Sequence, residues 1–186
     1  MNLIDHLLPE INAIIDKYPK LHEDNAFLFW FLSAYLVNEE KQDQLENCII
    51  GSTGDVNLDA YIIDDKNRMV FLIQSKYRQK TSVIEKRNDI IAFLDLENHL
   101  FERDKLNNLL DSASNSAQNA LNTIFNKLNK YDYELVLIYV TSGKCTKKLK
   151  KEMEHKANYA RVHIFDSRAL MGLLNDYLEG VAPPIP

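Results

Sequence analysis

The chain has 186 residues, of which 46% are hydrophobic and 26% charged, as in an ordinary soluble globular domain with its own core. The formal net charge of −5 argues against a protein that coats nucleic acid through bulk electrostatics, although a local basic groove needs only its own field. The five histidines show no zinc-ligand spacing, and the two cysteines, Cys48 and Cys145, lie far apart, as is typical of reduced thiols in the cytoplasm.

The N-terminal part of the chain predicts helices. Apolar positions at helical spacing cover residues 2–17, and Pro9 within them predicts a kink or a break. Residues 25–37 are apolar on nearly every side and too short to span a membrane, so they predict a fully buried helix that Asp24 or Asn25 caps. The N-terminus lacks the basic start and the cleavage site of a signal peptide, which also indicates a cytoplasmic protein.

Three short strands are predicted next. The first covers residues 47–51 and leads into a loop that contains glycine. The other two, at about 57–64 and 68–77, flank a polar turn and predict an antiparallel pair. A turn centred on residues 66–67 would set the register of that pair, and a shift by one residue would move every side chain to the other face.

This register predicts a cluster of polar side chains. Asp59 lies directly across from Gln74, and Lys76 points to the same face because side chains alternate along a strand. Such a carboxylate and amide oxygen would ligate Mg²⁺ or Mn²⁺, and Lys76 would lower the pKa of the attacking water. The alternative is that Asp59 is a solubility charge on an edge strand, with Gln74 and Lys76 ending their strand in solvent.

The second half of the chain alternates helices and strands. Residues 82–128 carry a helical pattern, through which a homodimer could form. Residues 133–140 are a nearly continuous apolar run, typical of a strand buried on both faces. Helix 146–160, strand 161–165 and helix 167–178 follow. This order predicts the α/β class, with a mixed sheet flanked by helices.

The spacing of Asp59 and the tripeptide Gln74-Ser75-Lys76 resembles the PD-(D/E)xK nuclease superfamily, in particular its QxK, Mrr-type subgroup. The stretch GDVNLDA before it, at residues 54–60, is similar to that subgroup too. The phrases LDAYIIDD and VFLIQSKY further resemble the N-terminal nuclease-like region of abortive-infection phage-resistance (AIPR) proteins. The resemblance implies a restriction-endonuclease-like αβββαβ core and metal-dependent hydrolysis of DNA in restriction or phage defence.

The resemblance also adds residues to the site. It implies the backbone carbonyl of Ser75 as a third metal ligand. Asp55 would be an auxiliary acid, although an aspartate that follows a glycine fits a turn equally well. Many relatives carry an acid within the first core helix, whereas residues 25–37 contain none. The acids that would have to substitute are Glu23, Glu39 and Glu40.

Basic residues cluster just after the QxK motif. They either neutralise a phosphate backbone or form the solvated entry to a helix, and the sequence leaves both open. They are Arg78, Lys80, Lys86 and Arg87. A second basic run lies within residues 144–151, and acids follow it on the same predicted helix. This mixture of charges predicts a solvated helix face.

The sequence therefore leaves alternatives of different classes. One is a nuclease that acts on DNA or RNA, and another is a catalytically silent nuclease-like domain that binds nucleic acid or serves in assembly. A structural homodimer is the third. We expect one nuclease-like domain over residues 1–180, and the proline-rich residues 181–186 predict the start of a linker to a further C-terminal region.

Overall fold

The computed structural model describes residues 2–36, 45–50 and 56–181. Over these residues the chain forms eight helices and four strands. In chain order they are α1 (Leu3–Lys17), α2 (Glu23–Tyr35), β1 (Ala60–Asp64), β2 (Met69–Lys76), α3 (Arg87–Leu94), α4 (Leu96–Phe101), α5 (Arg103–Leu110), α6 (Asn115–Tyr131), β3 (Glu134–Thr141), α7 (Lys147–Glu154), β4 (Arg161–Phe165) and α8 (Ser167–Leu178).

The four strands form one mixed sheet in the order β1-β2-β3-β4. β1 pairs antiparallel with β2, whereas β2 with β3 and β3 with β4 pair parallel. Parallel neighbours need a crossover, and here α3–α6 connect β2 to β3 while α7 connects β3 to β4. The predicted α/β class with a mixed sheet and flanking helices is confirmed.

Helices cover both faces of the sheet. Along β2, Val70 and Leu72 pack against the layer of α3–α7, while Phe71 and Ile73 pack against the layer of α1, α2 and α8. β3 is buried on both faces from residue 135 onward, as its apolar run predicts. The predicted helical region 82–128 contains α3, α4, α5 and most of α6, and its apolar positions pack into the chain's own core.

Helix α2 is buried at every residue from 26 to 34, as predicted. Its start differs from the prediction, because the helix begins at Glu23 and the N-cap is His22, without a side-chain cap. Capping by Asp24 or Asn25 is therefore wrong. Acidic side chains are favoured in the first turn by the positive end of the helix dipole, which allows the helix to include Glu23 and Asp24.

The predicted break at Pro9 is wrong, because α1 runs through it without interruption. A proline inside a helix removes one backbone donor, so only the carbonyl of Asp5 loses its partner. Leu7 and Ile11, on either side, are fully buried. This packing holds both halves of α1 against the core, and the exposed side of the helix accommodates the ring of Pro9.

The predicted strand at 47–51 is also wrong over its described residues. Residues 45–48 form a turn of 3₁₀-helix, and Ile49 makes one isolated antiparallel bridge to Ala60. The predicted helix 146–160 is shorter, ending at Glu154. Of the predicted linker, residues 182–186 lie outside the described residues. None of the helices in the described ranges is long and apolar enough to cross a membrane.

The continuous helix α1 makes a prediction about stability. Pro9→Ala restores a donor for the carbonyl of Asp5 and removes the steric conflict, so it should raise the free energy of unfolding by about 1–3 kcal/mol. Urea titration followed by circular dichroism measures this change. Glu10→Ala, one residue further along the same helix, is the control and should change stability by less than about 0.5 kcal/mol. An unchanged or lower stability of Pro9→Ala would contradict the explanation.

Candidate functional site

The register of the β1–β2 hairpin positions the site. Ala60 pairs with Ile73 and Asp64 with Met69, so the turn covers residues 65–68 as the sequence predicts. Asp59 directly precedes β1, and its backbone N–H donates to the carbonyl of Ile73 over 3.0 Å. The predicted register is confirmed, and it brings Asp59 to Gln74.

Asp59 is held by two hydrogen bonds to its Oδ2 atom. The Gln74 amide Nε2 and the Ser75 backbone N–H both donate to this oxygen, each over 2.7 Å. The second oxygen, Oδ1, accepts no hydrogen bond from any residue in the described ranges. The amide nitrogen of Gln74 faces Asp59, so the ligand roles of the Gln74 oxygen and the Ser75 carbonyl stay predictions.

The charge on Asp59 is poorly compensated. Burial raises the pKa of its carboxyl above the usual range, more than the Ser75 N–H and the Lys76 ammonium lower it. The negative charge of Asp24 raises this pKa further. Asp24, Asp59 and Lys76 therefore share one electrostatic environment. Such perturbed carboxyls in a cleft are typical of functional sites.

An open cleft of about 390 Å³, which we call the carboxylate cleft, contains these groups. It lies at the carboxyl end of β2, where ligands commonly bind to α/β sheets. The start of α2 forms its opposite wall. Its polar lining includes His22, Asp24, Asp59, Ser75, Lys76 and Arg78.

Asp24 is the functional candidate that the sequence reasoning missed. It lies in the first turn of α2 and lines the carboxylate cleft, so the first core helix does contain an acid. The sequence does contain a signal for Asp24. Residues 22–24 are three consecutive ionisable side chains before a buried helix, whereas capping that helix would use only one of them. Glu23, one of the three candidate substitutes, is exposed and does not line the cleft. Glu39 and Glu40 lie outside the described residues, as does Asp55.

The oxygens of the carboxylate cleft fit a hard divalent cation. Asp24 and Asp59 supply two carboxylates, and Mg²⁺ is commonly bound by one or two carboxylates while it keeps several waters. Within the described residues, no group of three or more His, Cys, Asp and Glu side chains is arranged to hold a metal. The fit is therefore to a sparse, partly hydrated site.

The predicted nucleic-acid-binding residues separate into two groups. Arg78 lines the carboxylate cleft and forms an ion pair with Glu85. Arg87 is exposed and forms an ion pair with Glu152 of α7. Lys80 and Lys86 are exposed and do not line the cleft. The second basic run is mostly exposed, as its prediction of a solvated face requires, at Lys144, Lys147, Lys148 and Lys151.

Together, fold and cleft define an α/β protein with two carboxylates, a lysine and an arginine at the carboxyl end of its mixed sheet. No protein-family model, curated protein or solved structure matches the chain.

The raised pKa of Asp59 predicts a pH-dependent gain in stability for Asp59→Asn. Below the unfolded-state pKa of about 3.9, both forms are neutral and the variant should equal the wild type. As pH rises through the higher folded-state pKa, the wild type loses stability that the asparagine retains. The Tm of the variant should thus exceed that of the wild type at pH 7 and match it near pH 3.

Scanning calorimetry across this pH range provides the measurement. Asp64→Asn, at the other end of β1, is the control, because Asp64 is also partly buried but accepts its hydrogen bonds at the hairpin turn, outside the carboxylate cleft. It should show no such gain. A lower Tm of Asp59→Asn at pH 7 would contradict the stated balance between burial and hydrogen bonding.

Proposed function

We propose that the protein is a cytoplasmic Mg²⁺- or Mn²⁺-dependent nuclease of the QxK type, which hydrolyses phosphodiester bonds of DNA in restriction or phage defence. The observation that supports this best is the hairpin register, which brings Asp59 to Gln74 and Ser75 in a cleft that also contains Asp24 and Lys76. The resemblance of the motif supports the reaction class and the biological setting.

The carboxylates of Asp24 and Asp59 would hold the cation through oxygen atoms. When bound, Mg²⁺ or Mn²⁺ supplies Lewis acidity at the phosphoryl oxygen and a water of lowered pKa. The ammonium of Lys76 lies in the same cleft and would balance the negative charge that develops on the phosphoryl oxygens. The two carboxylates thus share one role, and the ammonium has another.

Gln74 would serve mainly by orienting Asp59. The Gln74 amide and the Ser75 N–H both donate to Oδ2 of Asp59. Oδ1 of Asp59 would then be the oxygen that binds the cation. A neutral amide at this position also adds no negative charge to the site. We therefore expect weaker metal binding than in a site with a second acid in place of Gln74.

A second candidate is a catalytically silent nuclease-like domain that binds nucleic acid or serves in assembly. The hydrogen bond from the Gln74 amide nitrogen to Asp59 favours it, because this contact is satisfied without any cation. The same cleft would then bind a phosphate backbone through Lys76 and Arg78 without hydrolysis.

The nuclease proposal predicts cleavage of supercoiled plasmid by the full chain in the presence of Mg²⁺ or Mn²⁺. Asp59→Asn and Lys76→Ala should each slow cleavage by about 100-fold or more, because the first removes a ligand of the cation and the second removes the ammonium that balances charge on the phosphoryl oxygens. Asp24→Asn should raise the metal concentration that is needed for half-maximal activity. Gel electrophoresis of nicked and linear products measures all three effects.

Asp104→Asn is the matched control for Asp24→Asn, since Asp104 lies in the first turn of α5, outside the carboxylate cleft. It should cleave like the wild type. Loss of activity in Asp59→Asn cannot reflect unfolding if this variant is the more stable protein, as its pKa predicts. Plasmid that is bound but left intact by the wild type would contradict the nuclease and favour the silent domain.

A further inference from the structure

Arg78 lines the carboxylate cleft, and its side chain is held by Glu85, which lies outside the cleft lining. Its side chain is about one-third exposed, and its Nε and Nη2 atoms donate to the two carboxylate oxygens of Glu85 over 2.9 and 2.8 Å. Its Nη1 atom donates to no residue in the described ranges. One edge of the guanidinium is thus engaged, and the other edge is available to a ligand.

The side chain of Glu85 has no solvent contact and accepts four hydrogen bonds from three side chains. Besides Arg78, the Thr141 hydroxyl donates to it over 2.7 Å and the Tyr139 hydroxyl over 3.1 Å. Burial alone would raise the pKa of Glu85, but the hydrogen bonds from Arg78, Thr141 and Tyr139 bring it below the usual range. Glu85 is therefore an ionised anchor that β3 holds in place.

The backbone of Arg78 is hydrogen-bonded to the segment that directly follows β3. The Ser142 hydroxyl accepts from the N–H of Arg78 over 2.5 Å and donates to its carbonyl over 2.8 Å. A side chain at Gly143 would put its Cβ only 2.8 Å from Oε1 of Glu85 and 2.8 Å from the carbonyl of Val83. This close approach requires glycine and keeps the segment before α3 against the sheet.

We propose that Arg78 is a preorganised phosphate-binding residue of the carboxylate cleft and that Glu85 is the positioning residue that fixes it there. The inference rests on the proposed function, which supplies the phosphodiester as ligand. A guanidinium that is already held by a carboxylate loses little conformational freedom on binding, and its free edge suits the oxygens of a phosphate. Lys80, Lys86 and Arg87 do not line the cleft, so the proposal does not extend to them.

The alternative is that Arg78 only neutralises the buried charge of Glu85. Stability measurements alone cannot separate these roles, because either one makes Glu85→Gln less stable. The position and the ligand response of the guanidinium itself can separate them. The Nε–H resonance of Arg78 reports both, and a dinucleotide with a single phosphodiester group, thymidylyl-thymidine, is a suitable probe.

In the full-length wild type, we expect a sharp Nε–H resonance of Arg78 that shifts on titration with thymidylyl-thymidine. Glu85→Gln should weaken dinucleotide binding by about tenfold, the effect of losing one charge-assisted contact, and Arg78→Lys should do the same because it keeps the charge but loses the fork. Glu134→Gln is the matched control. It breaks another Arg–Glu pair, with Arg161, at the opposite end of the parallel strands, and should bind like the wild type.

An Arg78 resonance that does not shift overturns the inference, whether or not other cleft resonances move, and this measurement needs no variant to fold. Wild-type affinity in Glu85→Gln overturns it as well. The outcome is separable from that of the proposed function. Dinucleotide binding at Arg78 without plasmid cleavage contradicts the nuclease and retains the phosphate-binding role, whereas cleavage with a silent Arg78 contradicts this role alone.

Discussion

The pairing of β1 with β2 determines the position of the Asp59 carboxylate. The turn at residues 65–68 sets the register of the two strands, which puts Asp59, just before β1, beside Gln74 of β2. Two hydrogen bonds then hold the carboxylate of Asp59 at the end of the sheet. A shift by one residue would turn Asp59 to the other face. The carboxylate cleft, its electrostatics and the proposed chemistry all depend on this register.

Burial has opposite results for two carboxylates near the end of β2, the fully buried Glu85 and the partly buried Asp59. Glu85 accepts from Arg78, Thr141 and Tyr139, so its pKa is lowered although burial opposes it. Asp59 accepts from neutral amides and lies near a second acid, so burial prevails and its pKa is raised. Glu85 is thus a structural anchor, and Asp59 is the carboxylate that a cation would stabilise.

The sequence predicts those features that depend on local periodicity. The hairpin register, the buried strand β3, strand 161–165 and helix 167–178 follow from alternation and spacing, and the structure confirms them. The break at Pro9 was wrong because burial of neighbouring residues outweighs one lost hydrogen bond. Propensity for a helix is local, whereas this packing is tertiary.

The site could be predicted only in part. Asp59, Gln74 and Lys76 share a motif, so their proximity follows from two adjacent strands. Asp24 reaches them from α2, and Glu85 reaches Arg78 through contacts with β3, which no spacing in the sequence encodes. Such long-range contacts become visible only once the sheet order is known.

Paramagnetic broadening by Mn²⁺ in ¹H–¹⁵N spectra tests the central claim most directly. If the carboxylate cleft holds a cation, low Mn²⁺ concentrations should broaden the amides of Asp24, Asp59, Ser75 and Lys76 first, and Asp59→Asn should abolish this selectivity. Asp166, a buried carboxylate that caps α8, serves as the internal reference and should keep its signals. Broadening that begins elsewhere, or that spreads evenly over the exposed acids, would contradict the account.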